Sequence, residues 1–217
     1  MLVRDLQHLV TSRGSKGVAT LLDFAKAYDR VNREYLFKVM ECQGFGPKFL
    51  SWIRLLYKGS HCSLMLNGWA QTALEPTRGV KQGDPLSPFL FALSLEPLGN
   101  SLRAAQELGV EVDETLSIPV AFFADDTVLF SKDAECVKQQ IRLVDLFCSG
   151  SGAMLNPEKS RIMSLNNHRA APIVEPMRSL QIGDTVKYLR IPFGNVDTST
   201  MVAETLDEKL MTRLRLW

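Results

Sequence analysis

Asp125 and Asp126 stand side by side between two apolar, β-prone segments, in the run Phe122-Phe123-Ala124-Asp125-Asp126-Thr127-Val128-Leu129-Phe130. A carboxylate buried without a partner costs several kcal/mol or takes up a proton. Two in a row at a hairpin tip ask for a compensating cation. A hard divalent metal fits that need, and its use would be phosphoryl chemistry. The same run also reads as a solvated Asp-Asp turn in an ordinary hairpin. A second apolar run delivers a carboxylate at its end: Leu21-Leu22-Asp23-Phe24-Ala25-Lys26-Ala27-Tyr28-Asp29. If the two strands lie together, Asp23 and Asp125 could bridge two Mg²⁺ about 3.5–4 Å apart. Such a pair aligns and activates an attacking 3′-hydroxyl and stabilises a leaving pyrophosphate, with no nucleophilic side chain. Alone, Asp23 is equally a strand-terminal helix cap.

A third block is Arg78-Gly79-Val80-Lys81-Gln82-Gly83-Asp84-Pro85-Leu86-Ser87-Pro88. Gly79 and Gly83 allow backbone angles closed to other residues and the close approach of a ligand. Gln82 can hydrogen-bond a base or sugar edge, while Arg78 and Lys81 can meet phosphate. Taken in isolation, the block is a Pro-capped helix start.

The elements that must position these blocks follow from periodicity. Leu2, Leu6, Leu9 and Val10 predict a helix over 2–11, and Val18–Leu22 predicts a strand ending at Asp23. Asn32 can cap a helix through Cys42 that buries Leu36, Val39 and Met40. Pro47 suits the first turn of a helix through Tyr57, with Phe49, Leu50, Ile53, Leu56 and Tyr57 inward. Asn67-Gly68 signals a type I′ hairpin between 63–66 and 69–74. A helix runs from the Gly/Pro loop through Arg103, and Ile118–Phe130 forms the acid-tipped hairpin. Asp133 caps a helix through Cys148, with Val137, Ile141, Val144 and Phe147 inward. Ser160–Leu165 is a strand, Leu180–Ile182 and Val186–Ile191 form a hairpin about Gly183-Asp184, and 200–217 is an amphipathic helix. Helices mixed with antiparallel hairpins predict an α+β class, an antiparallel sheet with helices packed on one face.

With 217 residues, 46% hydrophobic and 23% charged, the chain reads as globular and not disordered. No apolar run is long enough to span a bilayer, so no membrane partner is expected. Cys42, Cys62, Cys136 and Cys148 lack CxxC spacing and paired histidines, which predicts reduced thiols in an intracellular protein, without zinc. The net charge is +1, yet residues 1–60 hold ten Lys/Arg against five Asp/Glu, and the remainder fifteen against nineteen. Metal-binding acids account for part of that second excess.

Together and in this order, the three blocks resemble the reverse transcriptase domain of non-LTR (LINE-like) retrotransposons. Asp23 through Asp29, in the form Asp-Phe-x-Lys-Ala-Tyr-Asp, looks like the first catalytic motif. Gln82 through Pro88 looks like the second, and Phe123-Ala124-Asp125-Asp126 like the third. Gly152 through Ser160 resembles the fourth motif, and Tyr188-Leu189-Arg190-Ile191-Pro192 the hairpin that follows. A group II intron type enzyme is the nearest neighbour, but Asp84 and the Phe-Ala-Asp-Asp form favour the LINE-like branch. The resemblance implies a palm fold and RNA-directed DNA synthesis, with an RNA template, a DNA primer, deoxynucleoside triphosphates and two Mg²⁺ ions. Asp23, Asp125 and Asp126 would ligate metal, and Lys159 would sit by the departing pyrophosphate. Tyr28 would press on the incoming sugar and exclude a 2′-hydroxyl. Gln82 and Gly83 would contact the template-nucleotide pair, with Phe24 and Arg78 also on the substrate side. Residues 188–195 would steady the primer end, although Arg190 stands where the family usually carries glycine.

The expected organisation is a palm with partial fingers over 1–195 and the start of a thumb helix over 196–217. Only 22 residues precede Asp23, so the finger groups that meet the triphosphate, and a full thumb, would come from a larger polyprotein. The other expectation is an inactive retroelement remnant that at most binds nucleic acid or protein.

Overall fold

The computed structural model describes residues 2–63, 65–70, 75–189, 191–194, 201, 203, 207 and 210–212. In chain order the elements are α1 (Leu2–Ser12), β1 (Val18–Leu22), α2 (Ala27–Arg30), α3 (Arg33–Cys42), α4 (Pro47–Tyr57), β2 (Met65–Leu66) and β3 (Trp69–Ala70). There follow α5 (Ser87–Ala104), β4 (Val110–Glu111), β5 (Ser117–Ile118), β6 (Val120–Phe123), β7 (Asp126–Ser131) and α6 (Ala134–Ser151). The last are β8 (Arg161–Ser164), β9 (Arg178–Ser179), β10 (Thr185–Tyr188) and β11 (Ile191–Gly194). The predicted terminal helix, Arg190 and residues 71–74 fall largely or wholly outside the described residues.

Local chemistry sets the boundaries. The Asn32 side chain accepts from the Tyr35 N–H and starts α3. Pro47 opens α4, and the Asp133 carboxylate accepts from the N–H groups of Glu135 and Cys136 at the head of α6. Asn67 and Gly68 both take positive φ, 51° and 82°, as the two-residue turn between β2 and β3 requires.

The chain divides into two compact units, one of residues 1–24, 100–144 and 155–217, the other of 25–99 and 145–154. The first unit is built on a five-stranded sheet in the order β6-β7-β1-β8-β9. β1 runs antiparallel to both β7 and β8, and β9 pairs parallel with β8. All five residues of β1 are buried, which accounts for its unbroken apolar run. Ala19, Leu21, Val128, Phe130 and Met163 share one face, and they pack with Val3, Leu6 and Val10 of α1 and with Tyr188 and Phe193. On the opposite face, Ser131 donates to the fully buried Gln140 of α6. The buried stripe of α1 is therefore Val3-Leu6-Val10, while Leu2 is exposed.

One expected hairpin is placed differently. Tyr188 pairs with Ile191 and Thr185 with Gly194, so the hairpin is closed after Tyr188 and not at Gly183-Asp184. Phe193 and Tyr188 both enter the core that way, while the Asp184 carboxylate is spent on the Gln181 N–H, next to Arg178.

The second unit gathers α2, α3, α4, the β2–β3 hairpin and the start of α5. Leu36, Val39 and Met40 are buried as the periodicity predicts. On α4 only Leu50, Ile53 and Tyr57 are buried, and Leu56 is 51% exposed. The inward stripe is narrower than the five residues predicted: only the i, i+3, i+7 row of Leu50, Ile53 and Tyr57 is buried.

Candidate active site

Strand register brings the acids of the first unit together. β1 and β7 pair Val18 with Ser131 through to Leu22 with Thr127. One further step sets Asp23 level with Asp126. Residues directly opposite in an antiparallel pair point to the same face, with Cα atoms about 4.5–5.5 Å apart. That face is the one lined by Ala19, Leu21, Val128 and Phe130, so the two acids cap its end. Asp125 precedes Asp126 in the tight loop of the β6–β7 hairpin, where Phe123 pairs with Asp126. Ala124, the first loop residue, is held at φ 54°, a conformation costly to an L-residue with a Cβ.

The electrostatics agree with this convergence. The Asp126 carboxyl is pushed above the ordinary aspartate range, first by loss of water around it, then by the negative charges of Asp125 and Asp23. Tyr188 is also pushed up, by burial and then by the charge of Asp126, so the β10–β11 hairpin brings its phenol towards the acids. Among the described residues no lysine or arginine forms an ion pair with Asp23, Asp125 or Asp126.

Asp23 is fixed through its backbone. Its N–H donates to Ser160 Oγ (3.1 Å), and its carbonyl accepts from the Asn156 N–H (2.8 Å). Ser160 Oγ in turn donates to the Asn156 carbonyl at 2.8 Å. Phe24 bridges to Leu155 and is only 8% exposed. Lys159 lies in this clamping segment, exposed, two residues before β8.

The other predicted residues belong to the second unit. Tyr28 stacks on Phe91, ring centroids 4.6 Å apart and 15° from parallel. Gln82 donates to the Asp29 carboxylate at 3.0 Å. The Gly79 N–H donates to the Val31 carbonyl and the Val80 N–H to that of Tyr28. A Cβ at Gly79, φ 82°, would meet the Asp29 backbone at 2.8 Å, so only glycine fits there. Gly83 also takes a positive φ, 85°, but in open space. Arg78 is exposed.

Two residues, Arg33 and Gln140, carry structure that sequence reasoning passed over. Arg33 donates to the carbonyls of Gly79, Pro76 and Arg78 and so holds the start of the third block. A cation in the first position of a helix opposes the helix dipole, and that misfit was the available signal. Gln140 lies three residues after Val137 and four before Val144, on the inward stripe itself, where a polar residue must bond internally. Tyr188, read in the sequence as the start of the hairpin motif, gives no sign there that its phenol lies near Asp126.

The donor set suits a divalent cation in a limited sense. Asp23, Asp125 and Asp126 supply hard oxygen donors at one edge, yet among the described residues no three His, Cys, Asp or Glu side chains are grouped so as to hold one metal ion between them. Mg²⁺ is commonly bound through one or two carboxylates, with water and substrate phosphates completing its shell, and such a site needs no cage.

A family model described as reverse transcriptase (RNA-dependent DNA polymerase) matches residues 2–193. The transposon TX1 uncharacterized 149 kDa protein of Xenopus laevis is 32% identical over 220 residues, covering 100% of this chain and 17% of that protein. The retrovirus-related Pol polyprotein from type-2 retrotransposable element R2DM of Drosophila melanogaster is 34% identical over 138 residues, 64% of this chain and 13% of that one. The chain thus spans less than a fifth of either relative. In fold it is similar to apo telomerase from Candida tropicalis truncated from the C-terminal domain, with a TM-score of 0.61 over 89% of this chain and 37% of that one at 12% identity.

Proposed function

This chain belongs to the reverse transcriptase (RNA-dependent DNA polymerase) family, on its non-LTR retrotransposon branch, and we propose that it carries the nucleotidyl-transfer centre of an RNA-directed DNA polymerase. The reading rests on one observation, the β1–β7 register that sets Asp23 opposite Asp126 with Asp125 beside it. In this proposal Asp23, Asp125 and Asp126 hold two Mg²⁺ ions. When bound, such ions make a primer 3′-hydroxyl acidic and neutralise charge on the phosphates.

The remaining roles fall to the chain's own side chains. Lys159, beside the backbone clamp on Asp23, gives a proton to the departing pyrophosphate. Tyr28, stiffened by Phe91, presses on the deoxyribose. Gln82, oriented by Asp29, and Gly83 meet the base pair, with Phe24 and Arg78 on the nucleotide side. The substrates are deoxynucleoside triphosphates, an RNA template and a DNA primer. The palm with part of the fingers spans 1–195.

Single-nucleotide incorporation on a primed RNA template with Mg²⁺ tests the proposal. Asp125→Ala should lower the rate by about a hundredfold to a thousandfold, the scale of removing one preorganised charge-stabilising group. A rate equal to that of the unaltered chain would remove Asp125 from the chemistry.

A further inference from the structure

We infer that Arg33 is a positioning residue: its guanidinium, set on the ring of Tyr57, fixes the segment that carries the Gln82-Gly83 turn, and so sets how strictly the matching nucleotide is selected. The nucleotide half of this inference rests on the polymerase reading; the fixing of the turn rests on the second unit alone. Gln82 and Gly83 are the tip of a turn that the Asp84 N–H closes on the Lys81 carbonyl at 3.3 Å. Gly83, at φ 85°, supplies the positive angle at its third position. A surface turn of this kind opens readily unless its base is tied.

The base is tied from α2, α3 and α4. Arg33, in the first position of α3, donates through Nε to the Gly79 carbonyl at 3.0 Å and through its two terminal nitrogens to those of Pro76 and Arg78 at 2.7 and 3.2 Å. The guanidinium lies 4.7 Å from the Tyr57 ring centroid, and Tyr57 is buried, so the fork rests on a fixed platform. Lys81 lies 5.6 Å from the same centroid and donates to the Leu56 carbonyl at 2.9 Å, so the ammonium expected to meet phosphate is spent on the end of α4. Between these two ties, the N–H groups of Gly79 and Val80 are taken by the carbonyls of Val31 and Tyr28. A planar fork serves three carbonyls at once, which an ammonium does not. Without it Gln82 is free to shift, and a displacement of about 1 Å at a positioning group is worth up to about a hundredfold in rate. The turn would touch the base pair in ground and transition states alike, while Asp23, Asp125 and Asp126 belong to the other unit. The loss therefore falls on KM and on discrimination, not on kcat.

The test compares the whole chain with its Arg33→Lys variant by amide hydrogen exchange, and by incorporation of matched and mismatched deoxynucleotides on a primed RNA template with Mg²⁺. Arg33→Lys should exchange residues 78–84 at least about tenfold faster, while β1 and β7 keep their protection and report an intact fold. Its KM for the matched nucleotide should rise about tenfold, its kcat stay within about twofold, and its preference for matched over mismatched fall about tenfold. Arg54→Lys is a like change in the same unit, at a guanidinium that pairs with Glu41 at 3.1 Å and lies over Phe37, and it should alter none of these. Unchanged exchange over 78–84 in Arg33→Lys would overturn the inference. Faster exchange with KM and preference unchanged would also overturn it, by leaving Arg33 a purely structural residue. No incorporation by the unaltered chain would overturn the polymerase reading and the nucleotide half with it, while exchange alone still decides whether Arg33 fixes the turn.

Discussion

At Asp126 three carboxylates share one end of a sheet face, and the cost falls on the proton equilibrium of that group. Its folded pKa lies above the unfolded one, through partial burial and then Asp125 and Asp23. The folded state therefore holds more protons than the unfolded state just above the ordinary aspartate range, and stability falls as pH rises through that window. Below it the group is neutral in both states and the loss disappears. Asp126→Asn should thus stabilise the metal-free chain at neutral pH, by less than about 1 kcal/mol because water screens an exposed group, and should flatten that acid-side slope. Urea unfolding at pH 4 and pH 7 checks both effects; an Asp126→Asn chain less stable than the original at pH 7 would deny the repulsion. Ala124 is a second strained residue, at φ 54° beside the acids. Ala124→Gly should raise the unfolding free energy by up to about 1 kcal/mol, the αL cost less glycine's added entropy; a loss of stability in the same experiment would contradict it. The acids were legible in the sequence because adjacent aspartates between apolar strands are chemically conspicuous. The closeness of Tyr188 to them was not, since a tyrosine at an alternating position is ordinary core until its neighbour is known.

At the scale of elements, α6 braces the acid-bearing strands through one side chain. Gln140 Nε2 donates to the carbonyls of Pro119 and Phe130, and its Oε1 accepts from Ser131. All lie in the first unit and the glutamine is fully buried. Gln140→Leu fits the volume but takes the acceptor from the Ser131 hydroxyl and one donor each from the Phe130 and Pro119 carbonyls, the latter still accepting from the Phe130 N–H, which should cost about 1–3 kcal/mol, measured as a lower urea midpoint with an unchanged slope. A variant within about 0.5 kcal/mol of the original would mean that the carbonyls find other donors. Elements whose ends carry a cap or turn signal were readable: β1 ends at Leu22, α3 starts after Asn32, and the Asn67-Gly68 turn falls where its dipeptide requires. The last hairpin was misplaced because Gly183-Asp184 is a good turn dipeptide, whereas the turn used runs through Leu189, at φ 50°. Burial of Tyr188 and Phe193 outweighed local turn preference there.

On the scale of the whole molecule, the chain leaves the sheet after Phe24 and rejoins the same unit at Asn100, with a separate unit between. Asp23 and Asp125 are thus about 100 residues apart and meet only through strand pairing, a long loop whose closure entropy grows slowly with length. Sequence alone could pose that meeting only as a condition, because nothing in either strand names its partner. The charge excess of residues 1–60 was visible in composition. That Arg33 and Arg54 of this excess are spent inside the second unit required side-chain positions.

Isothermal titration of Mg²⁺ into the chain and into its Asp23→Asn variant tests the central claim most directly, because Asp23 can affect that binding only if it shares the site of Asp125 and Asp126. The account predicts saturable binding to the unaltered chain that is lost or weakened at least about tenfold in Asp23→Asn. Identical isotherms for the two would contradict it.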